Sequence, residues 1–245
     1  MLRGSKLYFV FGVLLILFVW FVSSIIINNN IILPKVDEVA QSIKGLLLDK
    51  HTYITIGATI LRVIITITLS FILTILLLFM AVKSQKLYMI IKPFMTLIKS
   101  IPIASIIIII LIMVGHELSP LYITSLVVLP LMYEAMYNGV KSIDKAIIDE
   151  VKTVTNMNKE VIIKLFIPMI MPFILTSLLQ SFGLGLKVMI MAEFICQPQI
   201  GIGKVMLFEK QYLELANIFA WTILVVLIVF LTEWLINKYI KKYLS

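Results

Sequence analysis

Apolar runs long enough to cross a lipid bilayer occupy most of this 245-residue chain. Hydrophobic residues make up 61% of the sequence, which is more than the interior of a soluble domain can bury. A helix needs about 20 mostly apolar residues to cross the hydrocarbon core, and runs near that length recur between polar breaks. The sequence therefore predicts an all-α, polytopic membrane protein with about six transmembrane helices.

These apolar runs give the expected positions of the spans. The first run follows Arg3 and Lys6 and is too long for the apolar core of a signal peptide, so we expect it to remain uncleaved. Between the first two spans, residues 33–53 have the apolar periodicity of an amphipathic helix on the outer membrane surface. The spans are expected at residues 7–27, 54–82, 102–114, 119–139, 167–194 and 216–236.

Basic residues indicate which way the predicted bundle faces. An even number of spans places both termini on one side of the membrane. If that side is the cytoplasm, the inner loops hold most of the lysines, including those of a basic turn that runs from Lys83 to Lys99. The positive-inside bias predicts cytoplasmic termini, and it explains the net charge of +8 without any binding of nucleic acid.

Sequence motifs for catalysis or nucleotide binding are missing. The sequence has no Gly-rich phosphate loop followed by Lys-Ser/Thr, no HExxH motif and no nucleophile elbow. One cysteine, Cys196, and two histidines offer neither an internal disulfide nor a cluster of metal ligands. We therefore expect no catalytic residue, no cofactor and no metal site. Transport is favoured over a membrane enzyme, with any energy source on another polypeptide.

A polar, amphipathic stretch at residues 142–172 interrupts the apolar runs on the predicted cytoplasmic side. Its apolar residues recur at three- and four-residue steps, which predicts two short helices separated by a turn. Asp149 and Glu150 lie beside the apolar face of the first helix. The other candidate contact and turn residues are Ile147, Val151, Thr155, Asn156, Ile162, Leu165, Phe166 and Pro168. Such a stretch either offers a surface to another protein, or packs on its own bundle or on the lipid surface.

Short motifs along the chain match a known family. The matching residues are Leu33-Pro34, Leu61-Arg62-Val63, Lys99-Ser100-Ile101-Pro102, Glu117-Leu118-Ser119, Asp149-Glu150-Val151, Thr155, Leu165-Phe166-Ile167-Pro168, Pro172, Gly183, Ala192-Glu193 and Gly201-Ile202-Gly203. With these residues the chain resembles the membrane permeases of bacterial ABC importers, in the branch that serves nitrate, sulfonates, taurine and thiamine precursors. In the polar stretch, Asp149 stands where the family has Glu, and Thr155 stands where it has the turn Gly.

The resemblance implies a single transmembrane permease domain over residues 1–245. It would comprise an N-terminal span at 1–32, the outer amphipathic helix at 33–53 and a five-helix core at 54–245, in which residues 142–168 dock on an ATPase. The implied partners are a second permease copy in a homodimer, cytoplasmic ABC ATPases and an external substrate-binding protein. The implied location is a bacterial plasma (inner) membrane, and the implied solute is a small anion or a thiamine precursor.

Charged residues within or at the edge of the predicted spans need a reason, because a charge in mid-membrane costs on the order of 2.5–3.5 kcal/mol. Arg62, Lys187 and Glu193, with Gly183, are the candidates for the translocation path. Alternatively, Arg62 and Lys187 snorkel to the surface and Glu193 lies at the interface. Lys187 could instead line a water-filled vestibule and attract an anionic substrate. If the three charges form an ion path, the chain is a secondary transporter or channel that works without an ATPase.

Overall fold

The computed structural model describes residues 2–154 and 159–244, and the regular structure within these ranges is entirely helical. The elements are α1 (Leu2–Ile27), α2 (Val36–Leu48), α3 (Lys50–Lys83), α4 (Gln85–Ser100), α5 (Ile103–Lys141), α6 (Lys145–Val154), α7 (Lys159–Val161), a π-helical turn (Ile162–Phe166), α8 (Ile167–Cys196), α9 (Ile202–Gln211) and α10 (Leu215–Leu244). Thr155 and Asn156 lie outside the described residues.

Five helical stretches in the described part of the chain are long and apolar enough to cross a membrane. They are Val10–Ile27, Lys50–Lys83, Ile103–Lys141, Ile162–Cys196 and Leu215–Leu235. Their length and composition confirm the prediction of an all-α polytopic membrane protein.

The described chain forms two compact units. The first unit comprises Met1–Thr55 and Val205–Leu227, and the second unit comprises Ile56–Lys204 and Ile228–Ser245. In the first unit, Trp20 of α1 donates a hydrogen bond from Nε1 to the carbonyl oxygen of Pro34 at 3.1 Å. The same indole stacks on Phe219, with 5.5 Å between the ring centroids. Glu38 accepts the backbone N–H of Lys35 at 3.2 Å, and this bond caps the start of α2 within the predicted amphipathic segment.

In the second unit, α5 and α8 pack against each other in antiparallel directions and form its most extensive contact. At one end, Nδ1 of His116 lies 2.5 Å from the carbonyl oxygen of Cys196. At the other end, a Cβ atom on Gly139 would lie 2.8 Å from the side chain of Phe173, so the two helices approach closely there. We call the end with His116 and Cys196 the Gly115 end. We call the end with Gly139 and Phe173 the loop end, because it leads into the stretch at 142–168.

Gly115 reverses the chain direction within α5. Its φ of 77° and ψ of 179° stop the helix in a region of backbone conformation that is essentially restricted to glycine. Ile107 and Ile123 belong to one buried cluster with α8, although a straight helix would hold them about 24 Å apart. Residues 103–114 and 116–141 are therefore the two arms of a helical hairpin, which turns in the gap between the spans predicted at 102–114 and 119–139.

The shorter arm of this hairpin is extended by α4. Alone, the arm is about 18 Å long, which is less than the hydrocarbon thickness of about 30 Å. In α4, Ile91 and Met95 pack in a buried cluster with Leu129 and Tyr133 of the longer arm. The structure therefore has an amphipathic helix where the sequence predicted a basic turn. The lysines concealed this helix, because they project from it while its apolar face is buried.

The loop end has one separate helix in its described residues, α6, instead of the two that the sequence predicts. The second runs from α7 through the π-helical turn into α8 without a break. The π turn precedes Pro168, which has no backbone N–H to donate. There the N–H of Ile167 bonds to the carbonyl oxygen of Ile162, five residues earlier, and the wider turn accommodates the proline ring. Residues 159–196 therefore form one continuous helix, which we call the rod.

Candidate functional site

The first candidate site is the loop end, where α6 faces the start of the rod. A cavity of about 500 Å³ opens between these two elements. It is lined by Glu150, Val151, Val154, Glu160, Val161, Lys164 and Leu165. Apolar side chains from both elements thus surround a concave space whose wall also holds the carboxylate of Glu150 and the ion pair of Glu160 with Lys164. Such a space is suited to an apolar or basic group of a partner protein.

Apolar side chains at the loop end are exposed instead of packed on the bundle. The exposed fraction is 81% for Val154, 42% for Ile162 and 37% for Leu165. The other apolar residues of the predicted docking surface are partly buried, and they are Ile147, Val151 and Phe166. The apolar face that the sequence predicts is therefore only partly covered within the subunit, which leaves surface for an occupant from outside.

The acidic and turn residues of the predicted docking surface fall into separate places. Asp149 and Glu150 are exposed on α6, and Glu150 lines the cavity. Pro168 lies in the first turn of α8, next to the π-helical turn. The predicted turn residues at 155 and 156 belong to the part of the chain that is not described, so their role stays a prediction.

The second candidate site lies at the Gly115 end, where the side chain of Glu193 on α8 is fully buried. Thr59 of α3 donates its hydroxyl to this carboxylate and lies 2.9 and 3.0 Å from its two oxygens. Arg62 donates Nη1 to Oε1 at 2.9 Å, and the backbone N–H of Gly203 donates to Oε2 at 3.2 Å. The buried negative charge is therefore both paired and hydrogen-bonded, which is the condition for keeping it inside a bundle.

Arg62 connects three parts of the second unit. Besides Glu193, it donates to the carbonyl oxygen of Ile200 at 2.5 Å, and its Nη2 lies 3.3 Å from Oε2 of Glu117 in the hairpin turn. Glu117 also accepts the backbone N–H of Gln199 at 2.5 Å. A planar guanidinium with several fixed donors can make these contacts at once, which a lysine could not. We call Thr59, Arg62, Glu117 and Glu193 the outer cluster, after the side on which the sequence predicts it.

Two glycines allow the segment after α8 to lie directly on the outer cluster. A Cβ atom on Gly201 would lie 2.6 Å from the carboxylate of Glu193, and one on Gly203 would overlap the backbone of α8. Between them, the N–H of Ile202 donates to Oγ1 of Thr59 at 3.0 Å. The Gly-Ile-Gly motif is thus explained by close approach of the backbone, which leaves no room for a side chain.

Sequence reasoning singled out Arg62 and Glu193 but missed that they bind each other. The alternative to a translocation path had Arg62 snorkel and Glu193 lie at the interface as separate residues, whereas the structure pairs them inside the second unit. Opposite charges near the same end of two apolar spans were the available signal. Their role in the translocation path stays a prediction.

Lys187 and Gly183 are not brought into the outer cluster. Lys187 is exposed on α8, on a stripe that also exposes Leu184 and Met191. At Gly183, an added Cβ atom would meet only Oε1 of Glu233, at the ordinary contact distance of 3.7 Å. A lysine on a membrane-spanning helix needs water or a polar partner at its ammonium group. Lys187 therefore either has such a partner outside the subunit or snorkels to the membrane surface.

The described chain is a multi-pass helical membrane protein whose loop end exposes part of an amphipathic surface. A comparison with protein families matches residues 75–243 to the binding-protein-dependent transport system inner membrane component. The chain belongs to this family. It is therefore the transmembrane subunit of an ABC-type, binding-protein-dependent transporter and is not itself an enzyme. The family implies, in general, an ATPase and a substrate-binding protein as partners. No curated protein matches the chain.

Proposed function

We propose that this subunit forms the translocation pathway of an ATP-driven importer in a bacterial inner membrane, with both termini and the loop end in the cytoplasm. The solute is small, and the sequence motifs favour a nitrate-, sulfonate- or taurine-like anion or a thiamine-precursor-like molecule. The observation that carries the proposal is the loop end, where exposed apolar residues and a cavity of about 500 Å³ lie on the end of a membrane-spanning rod.

The loop end is built to transmit movement of an ATPase to the membrane helices. The exposed residues Ile162 and Leu165 lie in the π-helical turn, which continues into α8. Force applied to them acts on the whole helix, because no flexible joint separates the turn from α8. Closure of the ATPase dimer would then tilt the rod as a rigid body and expose the pathway to alternate sides of the membrane.

Two copies of the chain form the pathway in this proposal. The uncovered stripe on α8 combines Lys187 with Leu184 and Met191, and a second subunit or a water-filled path facing it would satisfy the charge. An ammonium group on such a path attracts small anions, in keeping with the sulfonate- or nitrate-like class of solute.

Co-purification with the cognate ATPase subunit tests the docking surface. Ile162→Glu places a charge on the exposed apolar surface, and Asp149→Lys reverses a charge on α6. Loss of an apolar anchor at an interface costs about 2 kcal/mol or more, so we expect affinity for the ATPase to fall about thirtyfold in Ile162→Glu. Substrate-stimulated ATP hydrolysis in proteoliposomes should fall with it.

The matched control is Tyr212→Glu, which introduces the same charge at a side chain that is 76% exposed and lies outside the loop end. This variant should bind the ATPase as the wild type does. Equal ATPase binding by Ile162→Glu and the wild type would contradict docking at the loop end. Solute transport by the purified subunit in vesicles without an ATPase would favour a secondary transporter or channel instead.

A further inference from the structure

We propose that the loop end of the second unit carries a binding site for the phosphate headgroup of an anionic phospholipid, formed by Tyr88, Lys92, Tyr133, Tyr137 and Lys141. We call these five residues the basic-aromatic cluster. The site is separate from the ATPase docking surface, and its recognition of lipid does not depend on which side of the membrane the loop end faces.

The three tyrosines form a stack between α4 and the longer arm of α5. The ring centroids of Tyr88 and Tyr137 are 4.5 Å apart and those of Tyr133 and Tyr137 are 5.8 Å apart, with interplanar angles of 12° and 14°. The hydroxyl of Tyr133 is buried and has no hydrogen-bond partner among the described residues. A stack of this kind offers a fixed aromatic surface, which Tyr133 supports from its buried side.

Two lysines converge on this stack. Nζ of Lys141 lies 5.7 Å from the ring centroid of Tyr88 and 5.6 Å from that of Tyr137, and Nζ of Lys92 lies 6.0 Å from that of Tyr88. These distances are in the range of cation–π attraction, which holds both ammonium groups near one ring. Because both ammonium groups lie near the same ring, an anion beside Tyr88 would be attracted by both of them.

The charge of these two lysines is not neutralised within the part of the subunit that the structure describes. Lys99, on the same helix as Lys92, has its ammonium group 2.5 Å from a carboxylate oxygen of Glu134. Lys92 and Lys141 form no such ion pair with a described residue. The structure therefore pairs one lysine of this surface and leaves two others turned to the aromatic stack, where an external phosphate can reach them.

The cluster lies where the headgroup of a lipid would be found. Lys141 is the last residue of α5, and Tyr88 lies in the first turn of α4, soon after Lys83 ends α3. These helix ends mark the boundary between hydrocarbon and water, where tyrosine and lysine are enriched in membrane proteins. Basic sites between helices at this level are suited to anionic headgroups.

An uncovered apolar face on α4 supports a lipid as the ligand over a free phosphate ion. Its residues Met89, Ile90, Phe94 and Leu97 are between 58% and 67% exposed. Met89 lies one turn before Lys92 and about 60° around the helix from it, so the acyl chains of a lipid whose phosphate binds Lys92 can lie along the near edge of this face.

Native mass spectrometry of the full-length subunit, released from nanodiscs of equal parts phosphatidylglycerol and phosphatidylcholine, tests the site. We expect the wild type to retain phosphatidylglycerol in preference to phosphatidylcholine. A charge-assisted hydrogen bond to a bound phosphate contributes about tenfold in affinity, which a lysine that does not touch the headgroup lacks. Lys92→Gln with Lys141→Gln should therefore reduce retention of phosphatidylglycerol about tenfold or more, and Lys92→Arg with Lys141→Arg should preserve it.

The matched control is Lys83→Gln with Lys86→Gln, which removes the same charge from neighbouring exposed positions outside the cluster. Its retention should stay within about twofold of the wild type. Equal losses in the two double variants would overturn the proposal in favour of a general surface charge. Displacement of the lipid by millimolar inorganic phosphate, or a wild type without preference for phosphatidylglycerol, would also overturn it. An unchanged unfolding temperature of each variant excludes loss of the fold as the cause.

Discussion

Arg62 on α3 and Glu193 on α8 form an ion pair in which Nη1 lies 2.9 Å from Oε1 and the carboxylate is completely buried. The two residues are far apart in sequence, and the pair ties two membrane-spanning helices of the second unit together near one membrane surface. It is more deeply buried than the ion pair of Lys99 with Glu134, whose side chains are each 45% exposed. This contrast provides a direct measure of what burial does to an ion pair in the same molecule.

Arg62→Met should destabilise the subunit strongly. The substitution keeps an apolar stem of similar length but leaves the buried charge of Glu193 without its cationic partner. Breaking a buried pair in this way costs about 3–5 kcal/mol. The measurement is the free energy of unfolding in mixed micelles as sodium dodecyl sulfate is titrated.

Lys99→Met serves as the exposed counterpart in the same titration. It removes the cation of a short but solvated ion pair, for which the loss should be less than about 1 kcal/mol. If the two substitutions lower the free energy of unfolding equally, burial of Glu193 does not increase the contribution of its ion pair to stability.

Gly203→Ala should disrupt the segment after α8, because the added methyl group would overlap the backbone of the helix. Overpacking of this kind typically costs about 1–3 kcal/mol. Gly183→Ala is the matched control, since its methyl group would meet only an ordinary contact at 3.7 Å. Thermal unfolding of the purified subunit, followed by circular dichroism, should separate the two variants. Similar unfolding temperatures would show that the close approach at Gly203 is not required.

Cysteine labelling checks the proposed orientation. The native Cys196 is buried, so the wild type should react slowly with a membrane-impermeant maleimide. Val154→Cys, at an 81% exposed position of α6, should react only when the cytoplasmic side is open to the reagent. Tyr212→Cys, at a 76% exposed position, should react in intact spheroplasts. Labelling from the opposite sides would reverse the topology and remove the loop end from reach of a cytoplasmic ATPase.

Lys187→Gln should weaken the transport of an anionic solute by the assembled transporter. If the ammonium group faces a hydrated path, its attraction for a nearby anion is about 1 kcal/mol, or about fivefold in the apparent affinity. Lys187→Arg keeps the charge and should retain transport. Uptake of labelled solute over a concentration series measures the effect. A neutral substitution with unchanged uptake would indicate that Lys187 only snorkels to the surface.

The sequence was sufficient for the fold class and for the reversal at Gly115, because apolar length and a turn glycine are local signals. It was insufficient for α4, whose lysines dominate the composition although residues such as Ile91 and Met95 are buried. The sequence also predicted a break between the second loop helix and α8, because a proline usually marks a helix boundary. The π-helical turn that keeps the helix continuous before Pro168 has no signal in the local sequence. The pairing of Arg62 with Glu193 depends on how distant helices pack, and no local pattern encodes it.

The uninterrupted rod at residues 159–196 has a consequence for energetic coupling. It carries the proposed docking surface at one end and Glu193 near the other, about 45 Å away at 1.5 Å per residue. A substrate-binding protein that favours one conformation of the Glu193 end of the rod would also change the affinity of the docking surface for the ATPase. Thermodynamic linkage requires the two effects to be equal, so occupancy on either side of the membrane can be read from binding on the other.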